Sequence, residues 1–453
     1  MILNRYILHD FREWRKRKDR KQLILRGARQ VGKTTIVKEF SKEFKYFISL
    51  NLELKKDIRY FNDFDDVDKI LEALLFDKSI PIDKLSDTLL FIDEIQESPK
   101  AIKLLRYFYE NYSNLCVISA GSLLEFTLRK TENLPVGRVE FLYLHPFNFS
   151  EYLLANNKEN VVNLLNQIPF NNNHFKSVLE LFHRYSIIGG MPEIIKTDLE
   201  YKSISELTRV YESIVQTYKN DIEKYTSNNS ERRVIKHILN SAHLVIDERI
   251  KFQNFANSNY KSREVSEQMR NLEDAKIISL IYPTTNTSLP ILPDRKKSPR
   301  LQYLDTGILN YNLKIQSDLL KLDDFTSAYK GAIIPHIINQ ELISLNSKSN
   351  ESLAFWVREK KQSSAEVDLV IKVENLIIPI EIKSGPNGKL RSLHQFMDSC
   401  GHHYAIRMYG GKLEIQKAKT ISGTDYYLMN MPYFLASQIY EYAEWFINNP
   451  VYK

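Results

Sequence analysis

Short apolar runs alternate with helical patterns over about the first 150 residues. Three of the runs have the composition of buried strands, at residues 23–25, 88–92 and 115–122. Strands that alternate with helices predict βαβ units and a doubly wound parallel sheet, in which ligands bind at the carboxyl ends of the strands. We therefore expect an α/β domain over residues 1–150.

Helical patterns dominate the middle of the chain. The glycines and proline of Ile188-Gly189-Gly190-Met191-Pro192 interrupt them, and we expect a helical lid over residues 151–229. Residues 230–315 combine helical patterns with strands at 278–282 and 301–304, and helices followed by a two-stranded ribbon favour a winged helix. The basic loop between these strands, 295–300, fits contact with nucleic-acid phosphates or docking to a protein.

Alternation with a period of two marks the last segment, residues 316–453. Apolar and polar residues alternate at 366–371 and 377–382, with a turn between these runs. A hairpin of the two strands would bring Asp368 together with Glu381 and Lys383. Pro379 has no amide donor, so we expect its strand to lie at a sheet edge or to carry a bulge.

A glycine-rich loop follows the first apolar run and spells G-x-x-x-x-G-K-T. A loop of this kind turns its backbone N–H groups towards phosphate oxygens. Lys33 is expected to reach the β- and γ-phosphates, and Thr34 to place its hydroxyl on Mg²⁺, at the positive end of a helix. The sequence therefore predicts an ATP and Mg²⁺ site on this loop, whose residues are Gly27, Ala28, Arg29, Gln30, Val31, Gly32, Lys33, Thr34 and Thr35.

Two carboxylates end the second apolar run, which is the pattern of a Walker B strand. Asp93 would hold Mg²⁺, and Glu94 would orient or deprotonate the attacking water. Acidic residues also favour helix starts, so the pair alone fits a simple cap. Its combination with the glycine-rich loop favours the catalytic interpretation.

Two further positions are candidates for contact with the γ-phosphate. Ser122, with Ser119 behind it, follows the third run where a polar sensor is expected, although either hydroxyl also fits a helix cap. Arg138 follows a glycine turn and fits an arginine finger, acting within the chain or on a neighbouring subunit's nucleotide. A plain salt bridge fits Arg138 equally well.

The C-terminal carboxylates are candidates for a second metal centre. Asp368 and Glu381 offer oxygen ligands for Mg²⁺ or Mn²⁺, Lys383 can stabilise negative charge during phosphodiester cleavage, and Glu341 could be a further carboxylate. The alternative is an exposed hairpin face that carries one Glu/Lys pair.

The chain has 453 residues, of which 43% are hydrophobic and 26% charged, as in globular proteins with more than one core. No run approaches the roughly 20 apolar residues of a membrane span, and the N-terminus lacks a secretory apolar region, so we expect a cytoplasmic protein without a membrane partner. The two cysteines fit a reducing compartment. The net charge of +7 is compatible with nucleic-acid contact and with plain solubility.

Over nearly its full length, the chain resembles a prokaryotic family of AAA+-superfamily ATPases that pair a P-loop domain with a C-terminal domain of unknown function. Its last segment is similar to the PD-(D/E)xK nuclease fold, with Asp368, Glu381 and Lys383 at the motif positions and Glu341 at the helix carboxylate. The resemblance implies ATP binding and hydrolysis. The resemblance rests on the glycine-rich loop, on the strand that ends at Asp93 and Glu94, and on six shorter motifs. These are Gly121-Ser122, Gly137-Arg138, Pro146-Phe147-Asn148-Phe149, Gly189-Gly190-Met191-Pro192, Asp221 and Leu304-Asp305-Thr306-Gly307.

We therefore expect an Mg²⁺-dependent ATPase that is coupled to nucleic-acid binding or cleavage by its C-terminal domain. The alternative is a nucleotide-gated binding module, whose nuclease-like domain is a non-catalytic docking platform for DNA, RNA or a protein partner.

Overall fold

The computed structural model describes residues 5–122, 137–222, 226, 228–246, 248–316, 333–348, 353–360, 363–383, 390–449 and 451. The chain divides into two compact units. The N-terminal unit comprises Met1–His145 with the short segments Asp274–Ile277 and Asn346–Asn350, and the C-terminal unit comprises the remainder. The division into four domains stays a prediction.

The N-terminal unit alternates helices and strands. Its helices are α1 (Ile7–Lys16), α2 (Lys33–Ser41), α3 (Lys55–Asp63), α4 (Val67–Asp77) and α5 (Pro99–Asn111), with 3₁₀ turns at Ile82–Asp87 and Ile95–Glu97. Its strands are β1 (Gln22–Arg26), β2 (Tyr46–Asn51), β3 (Thr88–Asp93), β4 (Cys116–Ala120) and β5 (Val139–Tyr143).

These five strands, among the residues described, form one parallel sheet in the order β2-β3-β4-β1-β5. The interior strand β3 is buried along its whole length, which explains its uninterrupted apolar sequence. Apolar side chains of β2 and β3 pack with α3, α4 and α5 in one core. The predicted parallel α/β sheet is confirmed, and the predicted loop and carboxylates follow the carboxyl ends of β1 and β3.

The C-terminal unit contains most of the remaining helices. They are α6 (Phe149–Ala155), α7 (Glu159–Leu165), α8 (Phe175–Ile188), α9 (Pro192–Tyr201), α10 (Ile204–Asn220), α11 (Asn229–Ser241), α12 (Ser262–Asp274), α13 (Thr306–Asn312), α14 (Ile333–Ser344), α15 (Arg391–Met397) and α16 (Ile439–Asn448). Short 3₁₀ helices lie at Asn172–His174, Ala242–Val245, Phe255–Asn257 and Tyr433–Gln438.

An eight-stranded sheet, counted over the described part of this unit, has the order β12-β13-β11-β10-β9-β8-β6-β7. Its strands are β6 (Ile278–Thr284), β7 (Arg300–Tyr303), β8 (Ala354–Lys360), β9 (Ser363–Val373), β10 (Leu376–Ile382), β11 (Tyr404–Tyr409), β12 (Glu414–Lys419) and β13 (Asp425–Pro432). The ribbon of β6 and β7 was expected as a wing. However, β6 also pairs in parallel with β8, so the ribbon is the edge of this larger sheet and differs from a free two-stranded wing.

Pro379 was expected on an edge strand or at a bulge. The edge position is wrong, because β10 pairs with β9 on one side and with β11 on the other, and the register with β9 runs from Leu376 to Ile380 without a shift. The described register with β11 begins only at Ile380, one residue after the proline. On the β9 side Pro379 lies opposite Val370, and alternate residues of an antiparallel pair need no ladder hydrogen bond. The missing amide donor is therefore tolerated in the interior of the sheet.

Two motifs of the resemblance contact each other inside the C-terminal unit. Asp305 caps α13 by accepting a hydrogen bond from the Ile308 amide at 3.0 Å, and its other oxygen accepts one from the Gly190 amide at 2.6 Å. Gly189 has a φ of +70°, and a Cβ there would collide with the Asp305 carboxylate. The glycines and Asp305 therefore form one structural junction.

None of the helices in the described part of the chain combines the length and the apolar character that crossing a membrane requires.

Candidate functional site

The glycine-rich loop connects β1 to α2. Gly27 and Gly32 have φ values of +147° and +96°, and Gly32 directly precedes the first residue of the helix, Lys33. A Cβ on Gly27 would also collide with the Leu144 carbonyl oxygen. Both glycines are therefore required by the path of the backbone, which directs the loop around the N-terminus of α2.

Lys33 is buried, and its ammonium lies over the loop. Nζ donates hydrogen bonds to the carbonyl oxygens of Gly27 at 2.9 Å and Ala28 at 2.8 Å. Burial lowers the pKa of Lys33 to about 8, although the charges of Glu94 and Asp93 oppose this effect. The ammonium and the two carboxylates therefore belong to one electrostatic site.

Asp93 is the last residue of β3, and its carboxylate contacts the first turn of α2. Oδ2 accepts a hydrogen bond from the Thr34 hydroxyl at 2.6 Å, and Oδ1 accepts one from the Glu94 amide at 3.1 Å. Burial, with a contribution from the Glu94 charge, raises the pKa of Asp93, while the Thr34 hydrogen bond opposes this rise. The structure thus brings the predicted ligands Thr34 and Asp93 together.

Glu94 lies directly beyond β3 in a left-handed backbone conformation, with φ of 51° and ψ of 45°. A non-glycine residue rarely adopts this conformation, which often marks functional sites. Its Oε2 accepts a hydrogen bond from Gln96 Nε2 at 2.6 Å. No role was predicted for Gln96 from the sequence, although it lies only two residues after Glu94.

The two candidate sensor serines have different surroundings. Ser119 lies within β4, is fully buried and donates a hydrogen bond of 3.4 Å to the Leu23 carbonyl oxygen, so its hydroxyl is used between strands. The Ser122 hydroxyl oxygen is buried and has no hydrogen-bond partner among the described residues. Ser122 is therefore the better sensor candidate. The helix expected to start at Leu123 lies outside the described residues.

Arg138 contacts Glu110 rather than any residue of the glycine-rich loop. Its Nε donates a hydrogen bond to Glu110 Oε1 at 3.0 Å, and its side chain is 40% exposed. This is the salt bridge that the sequence left open as an alternative. A role as an arginine finger stays a prediction.

The C-terminal hairpin brings Asp368, Glu381 and Lys383 together. Lys383 Nζ lies 2.6 Å from Glu381 Oε1, and Asp368 Oδ2 accepts a hydrogen bond from the Ile382 amide at 2.8 Å. The register between β8 and β9 shifts close to Asp368, between Ala354 and Trp356, and such irregularities re-aim side chains. Among the residues that the structure describes, no group of three or more His, Cys, Asp or Glu side chains is arranged to hold a metal ion.

Arg300 supplies positive charge to this cluster. Its Nε and Nη2 both donate hydrogen bonds to Glu366 Oε1, with Nε at 2.9 Å, and Nη2 also lies 3.3 Å from Asp368 Oδ1. The sequence placed Arg300 at the tip of a basic wing. Arg300 and Asp368 are 68 residues apart, so their contact became visible only when the structure showed how the strands pair.

The electrostatics of the cluster follow from burial and from these contacts. Burial and the Asp368 charge raise the pKa of Glu381, against the opposing effect of Lys383. Burial alone would lower the pKa of Lys383, but attraction to Glu381 and Asp368 raises it above its ordinary value. Glu381 Oε2 is buried without a hydrogen-bond partner in the described residues. We refer to Arg300, Glu366, Asp368, Glu381 and Lys383 as the C-terminal cluster.

Glu341 has a separate set of partners. Its carboxylate accepts hydrogen bonds from the Phe149 amide at 3.0 Å, from the Tyr185 hydroxyl at 2.6 Å and from the Ser437 hydroxyl. Burial raises the pKa of Glu341 to about 7, although these hydrogen bonds oppose the rise. These contacts favour a structural role at the start of α6, and its role as a metal ligand stays a prediction.

Three family models match different parts of the chain. Residues 19–153 match a family described as an AAA domain, and residues 179–319 and 330–428 match two families described as domains of unknown function, DUF8612 and DUF4143. No curated protein matches the chain. Together with the parallel sheet and its loop, the first match identifies residues 19–153 as a P-loop ATPase-like domain.

Several solved structures are similar at low sequence identity. A Walker-type ATPase of Pyrococcus abyssi is 14% identical, with a TM-score of 0.42, over 69% of this chain and 96% of that chain. A STAND signal-transduction ATPase with a tetratricopeptide repeat sensor from Pyrococcus horikoshii is 14% identical, with a TM-score of 0.28, over 74% and 47%. Cdc6p from Pyrobaculum aerophilum is 12% identical, with a TM-score of 0.26, over 70% and 96%.

Proposed function

We propose that this protein is an Mg²⁺-dependent ATPase. The observation that carries the proposal is the hydrogen bond between Thr34 and Asp93, which joins the glycine-rich loop to the end of β3. Lys33 and Glu94 interact electrostatically at the same place. A hydroxyl, a carboxylate and a lysine that meet beside a helix N-terminus are the groups that bind a nucleoside triphosphate with its metal ion.

The residues fit Mg²⁺, because Thr34 and Asp93 offer the hard oxygen atoms that this ion prefers. Bound there, the ion would neutralise charge on the phosphate oxygens. Lys33 would exchange its two carbonyl partners for phosphate oxygens. The unpartnered Ser122 hydroxyl would donate to the γ-phosphate, and Arg138 could act there only after leaving Glu110.

Glu94 is our candidate for the residue that orients the attacking water and accepts its proton. The test is steady-state ATP hydrolysis with Mg²⁺ by the wild type, Glu94→Gln and Lys33→Ala, with and without DNA. We expect Glu94→Gln to abolish turnover while ATP binding remains, and Lys33→Ala to abolish binding. Normal ATP affinity in Lys33→Ala would refute the assignment of the loop.

A second candidate function is metal-dependent cleavage of nucleic acid by the C-terminal domain, as its resemblance to PD-(D/E)xK nucleases suggests. The buried, unpartnered Glu381 Oε2 favours a ligand at this place. Asp368 and Glu381 are hard oxygen donors, but Arg300 and Lys383 already compensate them. We therefore propose that Mg²⁺ or Mn²⁺ binds there only when the Arg300 guanidinium moves away from Asp368.

The charge compensation equally supports the alternative of a non-catalytic docking platform for DNA, RNA or a protein. Plasmid nicking with Mn²⁺ distinguishes the two. Nicking that is lost in Glu381→Ala/Lys383→Ala supports cleavage. Nicking that persists in this double variant, or salt-sensitive DNA binding without nicking, supports the platform. The cytoplasmic location remains part of this proposal. So does a winged-helix-like binding role for residues 230–315, although their ribbon of β6 and β7 belongs to the larger sheet.

A further inference from the structure

Gln96 holds the side chain of Glu94. Its Nε2 donates a hydrogen bond of 2.6 Å to Glu94 Oε2, while its contact with Glu97 Oε1 is long, at 3.5 Å. Gln96 lies in the 3₁₀ turn Ile95–Glu97 and is 8% exposed. A buried amide that donates to a carboxylate forms a strong, directional bond, so Glu94 is fixed in one orientation.

Gly121 provides the space that Gln96 occupies. A Cβ built on Gly121 would collide with Gln96 Oε1, and the backbone of Gly121 itself has no positive φ. Only glycine at this position therefore leaves the Gln96 amide where it is, because a larger residue would displace the end of that side chain. Gly121 directly follows β4 and precedes Ser122, so Gln96 lies between the exits of β3 and β4.

The backbone of Glu94 makes this support necessary. A left-handed residue at the end of a strand directs its side chain away from the path that an extended residue would give, and a glutamate has three rotatable bonds to fix. Without a partner, the carboxylate would sample several positions, of which few place it against one water molecule.

We propose that Gln96 is a positioning residue for Glu94, and that Gly121 is required to keep Gln96 in place. The inference rests on the proposed ATPase function. It predicts that loss of the amide donor lowers kcat for ATP hydrolysis and leaves ATP affinity unchanged, because Gln96 acts on the water-activating residue and not on the phosphate-binding loop.

The experiment compares Gln96→Met, Gly121→Ala and the double variant by kcat and by the Kd for ATP. Methionine keeps the length of glutamine and lacks the donor, whereas the alanine Cβ at residue 121 displaces the end of an unchanged Gln96 side chain. We expect each single variant to lower kcat by about tenfold, with Kd within about twofold of the wild type. The double variant should be no slower than either single variant, since both remove one contact.

Glu97→Gln is the matched control, because Glu97 is exposed and its contact with Gln96 is long; we expect it to keep wild-type kcat. Unchanged kcat in Gln96→Met, additive losses in the double variant, or equal losses of kcat and affinity would overturn the positioning role. The comparison requires a wild type that hydrolyses ATP and a Glu94→Gln variant that does not. A wild type that hydrolyses no ATP would refute the proposed function and this inference with it.

Discussion

The Thr34 hydroxyl and the Asp93 carboxylate are joined by a 2.6 Å hydrogen bond between the first turn of α2 and the last residue of β3. The two residues are 59 positions apart, and their contact depends on the position of β3 in the parallel sheet, where only β4 separates it from β1. Asp93 also interacts electrostatically with the Lys33 ammonium. This geometry supports a metal-assisted role for Asp93 rather than a simple helix cap.

Replacing Asp93 with asparagine should separate metal-dependent hydrolysis from nucleotide binding. Asparagine keeps an oxygen that can accept from Thr34 but removes the negative charge that attracts Mg²⁺. We expect kcat to fall by about 100-fold or more, while ATP binding in EDTA stays within a few fold of the wild type. Asp77→Asn, on the exposed end of α4, is the control. Full activity of Asp93→Asn would contradict the assignment.

The pKa of Lys33 predicts that ATP binding takes up a proton in weakly alkaline solution. Burial lowers this pKa to about 8 in the free protein, whereas bound phosphates favour the charged ammonium. At about pH 8.5 the free protein has lost part of this proton and regains it on binding, so ATP affinity should fall as the pH rises through about 8.

Calorimetric titration with ATP in two buffers of different ionisation enthalpy measures this uptake. We expect a buffer-dependent enthalpy at about pH 8.5 that is smaller at about pH 7. Lys33→Arg is the control, because guanidinium stays charged throughout this range. Equal proton uptake by the arginine variant would show that the proton belongs to another group.

The N-terminal unit was largely predictable because its signals are local. A buried parallel strand has a continuous apolar sequence, and the loop Gly27–Thr35 follows such a strand directly. Asp93 and Glu94 likewise end a strand that the sequence marks clearly. The left-handed backbone of Glu94 and its hydrogen bond to Gln96 have no comparable sequence signal, because both depend on how the turn after β3 packs against Gly121.

The C-terminal unit was harder to predict because its decisive contacts join distant residues. Alternation placed Asp368, Glu381 and Lys383 together, but it could not show that β7 brings Arg300 to Asp368. From the sequence, Glu341 was predicted as a further metal-binding carboxylate on a helix. Its hydrogen bond with the Phe149 amide joins residues 192 positions apart, and periodicity does not report a contact at that distance along the chain.

Gly190 should tolerate no side chain. A Cβ at this position would collide with backbone atoms of Phe147, and backbone atoms cannot rotate away as a flexible side chain can. We expect Gly190→Ala to lower the free energy of unfolding by about 1–3 kcal/mol. Gly401→Ala is the matched control, because a Cβ there meets no atom within 4 Å. Equal urea midpoints for the two variants would contradict the close approach.

Glu341 should make the C-terminal unit less stable as the pH rises from 4.5 to about 7. Its native pKa is raised to about 7 from an ordinary value of 4.5, so in this window the native state holds a proton that the unfolded chain has released. The free energy of unfolding therefore falls with rising pH, by about 3 kcal/mol at most. Buried His336, whose pKa is lowered to about 3, acts in the opposite sense.

The readout is accordingly the difference in pH dependence between the wild type and Glu341→Gln, taken from urea midpoints. Glu381, whose pKa burial also raises, adds a downward slope in both proteins, so only the difference between them reports Glu341. Between pH 6 and 7 we expect the slope to become shallower in Glu341→Gln, whereas Glu180→Gln, on the exposed face of α8, keeps the wild-type slope. An unchanged slope in Glu341→Gln would assign the proton to another group.

Arg300 should control access of divalent cations to the C-terminal cluster. Its guanidinium contacts both Glu366 and Asp368, so Arg300→Leu leaves two carboxylates without this compensation. We expect the variant to lose on the order of 2 kcal/mol of stability, and Mn²⁺ to restore much of it by supplying positive charge.

The measurement is the thermal midpoint with and without Mn²⁺, in the absence of ATP. Arg249→Leu is the matched control, because Arg249 pairs mainly with Glu359 and lies 3.9 Å from Glu366, so its loss leaves Asp368 compensated. The Mn²⁺ response of Arg300→Leu should exceed that of the wild type and of Arg249→Leu, and it should disappear in Arg300→Leu/Asp368→Asn. Equal Mn²⁺ responses in all four proteins would mean that Arg300 does not limit cation binding, and the case for a metal-dependent nuclease at this cluster would lose its structural basis.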